Sequence, residues 1–418
     1  MDRSIITAVV FDQQSFKLGE DHVPRLTNSF DSNKEIFVLS GIRRCGKSTL
    51  LQEIRSTLPQ NNYFLNFDDE RLIQFKVEDF QQLYEIFIEH FGTQTNFFFD
   101  EIQNISGWER FVRRLRDNGN KVFITGSNAS MLSKELGTHL TGRYYQNELY
   151  PFSFSEFIKF KKKTLASHDL FSTHGKAEIK QLYNEFFEKG GFPAFLQNGN
   201  RQYLKSLYES ILYRDIIVRN GLTNEKELLE LIYYLASNVS KLASYNSLAK
   251  VIGIKNATTV KNYVEYIQNT YLVFAVNKFD FSLKVQIQNP KKFYFIDVAL
   301  VRELGFFTSE DRGRLLENLV FIELKRRSKE VYYHNNKQEC DFVIKEKIKI
   351  VEAIQVCWSL SSAETKSREI KGLTEALSTY NLKKGTILTD SEEDNLKLNG
   401  FEIEIKPVWK WLLESPLA

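Results

Sequence analysis

Residues Gly41–Thr49 read GIRRCGKST, and the architecture of the N-terminal part follows from that stretch. A glycine, four residues and then Gly-Lys-Ser is the P-loop spacing, with Gly41, Gly46, Lys47 and Ser48 in the fixed places. The chemistry requires it. Glycines let the backbone wrap closely around phosphate oxygens, so that the N–H groups of Arg43, Arg44, Cys45, Gly46, Lys47, Ser48 and Thr49 can point inward. The helix that follows adds its positive end. Lys47 reaches the β- and γ-phosphates, and Ser48 is a Mg²⁺ ligand. The flanks agree: residues 35–39 (EIFVL) are a short apolar run that reads as a buried strand, and residues 48–54 show helical spacing of apolar side chains. The expectation is a strand, phosphate loop and helix that bind ATP with Mg²⁺.

Downstream, residues 96–101 (NFFFDE) form an apolar strand ending in two acids. After a P-loop, that is the Walker B arrangement. Asp100 would hold the Mg²⁺ shell through water, and Glu101 would polarise the attacking water. Residues 121–128 (KVFITGSN) are a further strand ending in small polar residues. In a parallel sheet its C-terminal end lies near the phosphate loop, because ligands gather at that edge. Ser127 and Asn128 are therefore the candidates to sense the γ-phosphate. Arg143 follows Gly142 in a turn and suits an arginine finger, which would stabilise the transferring phosphoryl of a neighbouring subunit. Residues 108–118 read as a helix with Arg110, Arg113, Arg114 and Arg116 on its polar side, either a solvated face or a contact for phosphate or protein. Residues 1–30 read as a helical lead-in of the kind that packs beside a nucleotide pocket.

Composition narrows the class. A chain of 418 residues suggests two or three domains. Charged residues make up 26% and the net charge is +3, so any basic surface must be local. Three cysteines (Cys45, Cys340, Cys357) are far apart without metal-type spacing, which favours a reducing compartment over a disulfide framework. No apolar run approaches the length of a transmembrane helix, and the first residues do not resemble a signal peptide. The reading is a soluble cytoplasmic protein with no membrane partner.

The motifs GIRRCGKST, FFFDEIQ, FITGSN, LTGRYY and LYPFSFSEF, in this order, resemble those of a prokaryotic AAA+-type P-loop ATPase family with a C-terminal domain of unknown function. The resemblance covers essentially the whole chain. It implies an additional-strand P-loop core over residues 1–157 and a helical lid over 158–222. It also implies the finger position at Arg143 and hence a homo-oligomer, with a ring as one form. Residues 189–194 (KGGFPA) look like the family's Gly-Gly-x-Pro element, in which glycines permit a sharp turn and proline fixes φ. Arg214 and Arg219 are further γ-phosphate sensor candidates.

Residues 223–297 read as a winged helix: a helix, a turn with Gly253, a second helix and two strands. The second helix would present Lys255, Thr258, Thr259, Lys261 and Asn262 outward, toward duplex or branched DNA or toward a protein. Residues 298–418 resemble the PD-(D/E)XK nuclease fold, the whole chain being α/β multidomain. An amphipathic helix carries Glu317, a strand carries Asp341, and a second strand ends Ile354-Gln-Val-Cys357. Active nucleases have Glu and Lys where this chain has Gln355 and Cys357. A neutral amide is a poor metal ligand, and a thiol lacks the lysine's charge. Glu352, three residues before Gln355, lies on the opposite strand face. Lys366 and Arg368, on the next helix, are candidates to supply a migrated positive charge. The domain reads as nuclease-like but non-cleaving. The leading functional expectation is ATP hydrolysis driving a switch or motor on DNA. The alternatives are a signalling or toxin–antitoxin-like NTPase with protein partners, and an ATP-dependent nuclease.

Overall fold

In the computed structural model, which describes residues 1–16, 18–19, 22–25, 35–58, 62–129, 140, 142–306 and 311–414, the run before the phosphate loop is β1 (Ile36–Ser40), buried at every position. It belongs to one of two compact units, Met1–Tyr150 with Asn269–Tyr271; the other is Pro151–Gln268 with Leu272–Ala418.

The first unit is built on a five-stranded sheet of β1, β2 (Tyr63–Asn66), β3 (Asn96–Asp100), β4 (Lys121–Gly126) and β5 (Tyr144–Glu148), in the order β2-β3-β4-β1-β5. All its pairings are parallel. β4 separates β1 from β3, so the phosphate-loop strand and the acid-bearing strand flank an inserted strand, as the family resemblance implied. The central strands are continuous apolar runs because helices cover both faces. Phe97 and Phe99 face one side with Tyr63 and Phe111, while Phe98 stacks on Phe123 with centroids 4.6 Å apart on the other.

The lead-in divides into a helix on the sheet's outer strand and, farther on, Arg25, which donates to the Cys45 carbonyl of the phosphate loop at 2.8 Å. Helix α1 (Arg3–Gln14) is capped by Asp2 and buries Ile6, Val9 and Val10. It packs on β2, the outer strand farthest from β1 and β5. Its last two residues close that strand's open backbone. Asn66 N–H donates to Gln13 Oε1 at 2.6 Å, Phe64 N–H donates to Gln14 Oε1 at 3.0 Å, and Gln14 Nε2 donates to the Asn62 carbonyl at 2.6 Å. These groups would otherwise be unpaired at the sheet edge.

The second unit begins with helices. Ser153 and Glu156 form a reciprocal capping box that starts the helix Phe154–Phe160. After the helix Thr173–Lys189 comes the double glycine. Gly190 lies at φ +66, and a Cβ there would sit 2.0 Å from Asp297 Oδ1. Gly191 N–H donates to Asp297 Oδ2 at 2.7 Å, and Pro193 starts the next helix. Asp297 also caps the helix Val298–Leu304 through Ala299 N–H at 2.8 Å. Within this unit the Gly-Gly-Phe-Pro element is thus a backbone turn clamped on one carboxylate. Residues Ile211–Val218, which include Arg214, form a π-helix.

A three-stranded antiparallel sheet follows, β6 (Leu242–Ala243), β8 (Lys291–Phe295) and β7 (Val273–Asn277), beside the helices Tyr245–Val251 and Ala257–Asn269. The last part is a mixed six-stranded sheet ordered β13-β14-β12-β11-β10-β9, with β9 (Glu330–Asn335), β10 (Glu339–Glu346), β11 (Lys349–Val356), β12 (Lys384–Thr389), β13 (Asp394–Leu398) and β14 (Phe401–Pro407). The sequence reading has no strand at β13, whose residues (DNLKL) pair at the sheet's end. The helix Arg312–Arg326 differs from the expected amphipathic one. Every residue from Leu315 to Leu324 is buried, Glu317, Asn318 and Glu323 included. It passes through the interior, and its polar side chains are paired: Asn318 holds both backbone groups of Phe295, and Glu323 takes Arg326 and Arg327. Among the described residues, no helix is long and apolar enough to cross a membrane.

Candidate functional site

The parallel register sets the site. Ser40 lies opposite Gly126, and Phe99 opposite Ile124, so Gly41, Asp100–Glu101 and Ser127–Asn128 leave the sheet at one edge. Gly41 (φ +147) passes so close to β5 that a Cβ would lie 2.2 Å from the Leu149 carbonyl oxygen. Only glycine fits there. Arg44 (φ +66) and Gly46 (φ +104) complete the left-handed positions of the loop. Lys47 is buried, and its Nζ lies 3.1 Å from the carbonyls of Gly41 and Ile42 and 3.6 Å from Glu101 Oε1. Cys45 turns its thiol 3.4 Å from the Leu149 carbonyl, and burial raises its pKa, so only its backbone is available to a phosphate. Ser48 and Thr49 open the helix α2 (Lys47–Thr57).

The acids differ in environment. Burial and the neighbouring Glu101 push the Asp100 carboxyl up to about 6, while Thr125 and Ser48 hydrogen-bond to it. Thr125 Oγ1 donates to Asp100 Oδ1 at 2.5 Å and accepts the Glu101 N–H at 2.9 Å. An exposed Ser48 hydroxyl beside a buried carboxylate is a donor set that fits Mg²⁺, which takes few protein ligands and shares the rest with phosphate and water. Glu101 lies at φ +50. Burial alone would raise its carboxyl, but Lys47 and Arg43, with hydrogen bonds from Gln103 and Ser127, bring it below the ordinary value. Gln103 Nε2 donates to Glu101 Oε2 at 2.5 Å, and Ser127 Oγ donates to the same oxygen at 3.2 Å. Asn128 is buried at the end of this edge.

Arg143 stands elsewhere. It precedes β5, and its carbonyl accepts the Ile36 N–H at 2.8 Å. That is the opposite end of β1 from Gly41, roughly 17 Å away at 3.3 Å per residue. Its guanidinium lies 4.0 Å from Asp117 at the end of the helix Trp108–Asp117, where Arg113 and Arg116 also pair with that acid. Arg143 therefore cannot serve its own chain's phosphate loop.

Sequence reasoning missed two residues at this edge. Gln103 is buried against Glu101, and its Oε1 has no partner. Arg25 donates to the Cys45 carbonyl at 2.8 Å and to the Tyr150 carbonyl at 2.7 Å, tying the phosphate loop to the chain after β5. The Gln of FFFDEIQ carried a signal, being a buried-strand exit residue two positions from an acid. Arg25 carried none.

In the second unit, Glu317, Asp341, Gln355 and Cys357 line one open cleft of about 830 Å³. Glu352 lines a different cavity with Lys384 and Glu404, as strand alternation required. Arg368, named from the sequence, lines the cleft and pairs with Glu369 at 2.5 Å, and the acids also meet a lysine that the sequence reading passed over. Lys292 Nζ lies 3.0 Å from Glu317, 2.8 Å from Asp341 and 2.7 Å from Glu339. Its signal was a lysine on the same face as Tyr294 in an otherwise apolar strand, where burial demands acids. On the helix Ala257–Asn269, Thr258, Lys261 and Asn262 are exposed, Thr259 is half-buried, and Lys255 is exposed just before the helix.

Comparison with known proteins divides the chain into three matches. Residues 33–158 match an AAA domain, residues 180–311 match a domain of unknown function (DUF8612), and residues 312–411 match another domain of unknown function (DUF4143). An uncharacterised protein of Methanocaldococcus jannaschii is 37% identical over 402 residues, covering 91% of this chain and 88% of that protein. An uncharacterised protein of Haemophilus influenzae is 30% identical over 401 residues, covering 92% and 96%. A Holliday junction branch migration motor, RuvB of Thermotoga maritima, is 15% identical with a TM-score of 0.28, covering 66% of this chain and 89% of that one. At that score the likeness has no bearing on function.

Proposed function

The chain belongs to the family of these archaeal and bacterial relatives and carries an AAA domain, and from that premise we propose that it is a Mg²⁺-dependent ATPase working as a switch or motor on DNA. The observation that carries the proposal is the convergence of Lys47, Ser48, Asp100, Glu101 and Ser127 at one sheet edge. The loop N–H groups and Lys47 hold the β- and γ-phosphates. Ser48 and Asp100 hold Mg²⁺, which supplies positive charge to the transferring phosphoryl when bound. Glu101 polarises the attacking water, with its carboxylate oriented by Gln103 and Ser127. Ser127 and Asn128 report the γ-phosphate. Arg143, remote from its own loop, completes the site of a neighbouring copy, so the working form is an oligomer. Arg214 and Arg219 remain candidate sensors.

The helix Ala257–Asn269 belongs to a winged-helix module over residues 223–297, and its exposed Lys261, Thr258 and Asn262 contact DNA with Lys255. The part from residue 298 on is nuclease-like and does not cleave. The test is ATP turnover with and without duplex, single-stranded and four-way-junction DNA, beside Lys47→Ala. Turnover abolished in the variant and raised by one DNA form is the expected result. Turnover equal to the Lys47→Ala background ends the ATPase reading. Turnover blind to every DNA moves the reading to a protein partner.

A further inference from the structure

We propose that the acid cluster of the C-terminal cleft is a closed salt cluster whose resident cation is the Lys292 ammonium, and that this cleft takes no divalent metal. The inference goes beyond the ATPase reading and does not depend on it. A nuclease-like fold implies a Mg²⁺ held by its acids, here Glu317 and Asp341. The donors present do not fit one.

An ammonium offers three N–H donors. Lys292 donates to Asp341 Oδ1 at 2.8 Å and to Glu317 Oε1 at 3.0 Å, and Glu339 closes the ring as an ion pair at 2.7 Å. A small divalent ion would need those same oxygens at about 2.1 Å. The acids are committed in other directions as well. Asp341 Oδ2 accepts the Val356 N–H at 2.9 Å, and Glu317 Oε1 also accepts the Tyr294 hydroxyl at 2.6 Å. The next ligand position is Gln355, whose Oε1 accepts the Asp341 N–H at 3.2 Å and whose Nε2 donates to Glu369 at 2.5 Å. Cys357 is a buried thiol 3.1 Å from the Ser359 carbonyl. Among the described residues, no group of three or more His, Cys, Asp or Glu is arranged to hold a metal ion.

Lys292 is only 2% exposed and Glu317 and Asp341 are buried with it, so none of the three can be left alone without a buried, uncompensated charge. The lysine neutralises the cluster as a metal would. Buried and ringed by three carboxylates, it presents no open side to polarise a phosphate or hold a nucleophilic water. Cleavage is therefore closed off by occupation of the site, in addition to the changes at Gln355 and Cys357.

Mn²⁺ titration of the nucleotide-free full chain, with free ion read by electron paramagnetic resonance, tests this. The proteins are wild type, Asp341→Asn, Lys292→Met and the double variant. Wild type and Asp341→Asn should bind equal amounts of Mn²⁺. Lys292→Met should gain one ion per chain, and the double variant should lose it. A wild-type ion removed by Asp341→Asn would overturn the proposal, as would a folded Lys292→Met that gains nothing. If Lys292→Met does not fold, the comparison of wild type with Asp341→Asn decides alone.

Discussion

Glu101 is a charged, non-glycine residue in the left-handed region, at φ +50, a conformation that costs of order 1 kcal/mol or more and persists where surrounding contacts enforce it. The contacts are the Thr125 hydroxyl on its N–H and the side chains of Gln103 and Ser127 on its carboxylate. Together they aim one carboxylate oxygen and hold it ionised. Gln103→Leu and Ser127→Ala should each lower kcat by about tenfold or more, since a hydrogen bond to a charged group contributes about 1.5–3 kcal/mol. KM for ATP should change little in Gln103→Leu, whose side chain contacts Glu101 and not the Lys47 ammonium, whereas Ser127→Ala should also raise KM through its proposed γ-phosphate contact. Steady-state kinetics separates the two parameters, and a variant that alters KM alone would show that these residues bind substrate rather than position the base. Glu101 was legible in the sequence because an acid pair after an apolar strand is a local pattern. Its support was not legible, because what makes Gln103 matter is the direction in which a buried amide points.

Among the elements, the turn at Gly190 and Gly191 shows how one carboxylate organises two segments distant in sequence. Asp297 is buried, and burial pushes its carboxyl up to about 6 despite backbone N–H donors from Gly191 and Ala299. In the unfolded chain it titrates near 3.8. Between those values the folded form carries the extra proton, so this group makes stability fall as pH rises through about 4 to 6, by up to about 3 kcal/mol. Asp297→Asn cannot ionise. The difference between the melting temperatures of wild type and variant should therefore vary with pH across that window and be flat above it; parallel curves would refute the assignment. Elements with local signals were readable from the chain, such as the strands before Gly41 and Glu101 and the helix that Trp108 begins. The two misread elements lacked such signals. β13 is short, with only Leu396 turned toward the core, and exists because β14 pairs with it. The helix Arg312–Arg326 looked amphipathic because Glu317, Asn318 and Glu323 are polar, yet Glu317 and Asn318 find their partners on β8, and partners from a separate strand leave no trace in a local pattern.

At the scale of the whole molecule, the end of β1 that Arg143 occupies decides what assembly can do. Under the proposed function, an arginine at the far end of its own strand from Gly41 acts on another copy. Lys47→Ala and Arg143→Ala should each be at least about a hundredfold slower than wild type, since a finger of this kind contributes about 10³ or more. An equal mixture should regain about a quarter of wild-type turnover, the share of interfaces that join two intact halves under random assembly. No recovery on mixing would place the role of Arg143 within its own chain. The order of the P-loop sheet was legible through the family motifs, whereas the Lys292 cluster was not, since it assembles from residues spread over fifty positions that meet only in the folded unit. The three buried thiols have a practical consequence. Cys45 lies beneath the phosphate loop in one unit, and Cys340 and Cys357 lie in the other, all free and all shielded. The protein therefore carries its own unfolding clocks: the rate at which an alkylating reagent marks each thiol times the opening of the unit around it, with no foreign label introduced.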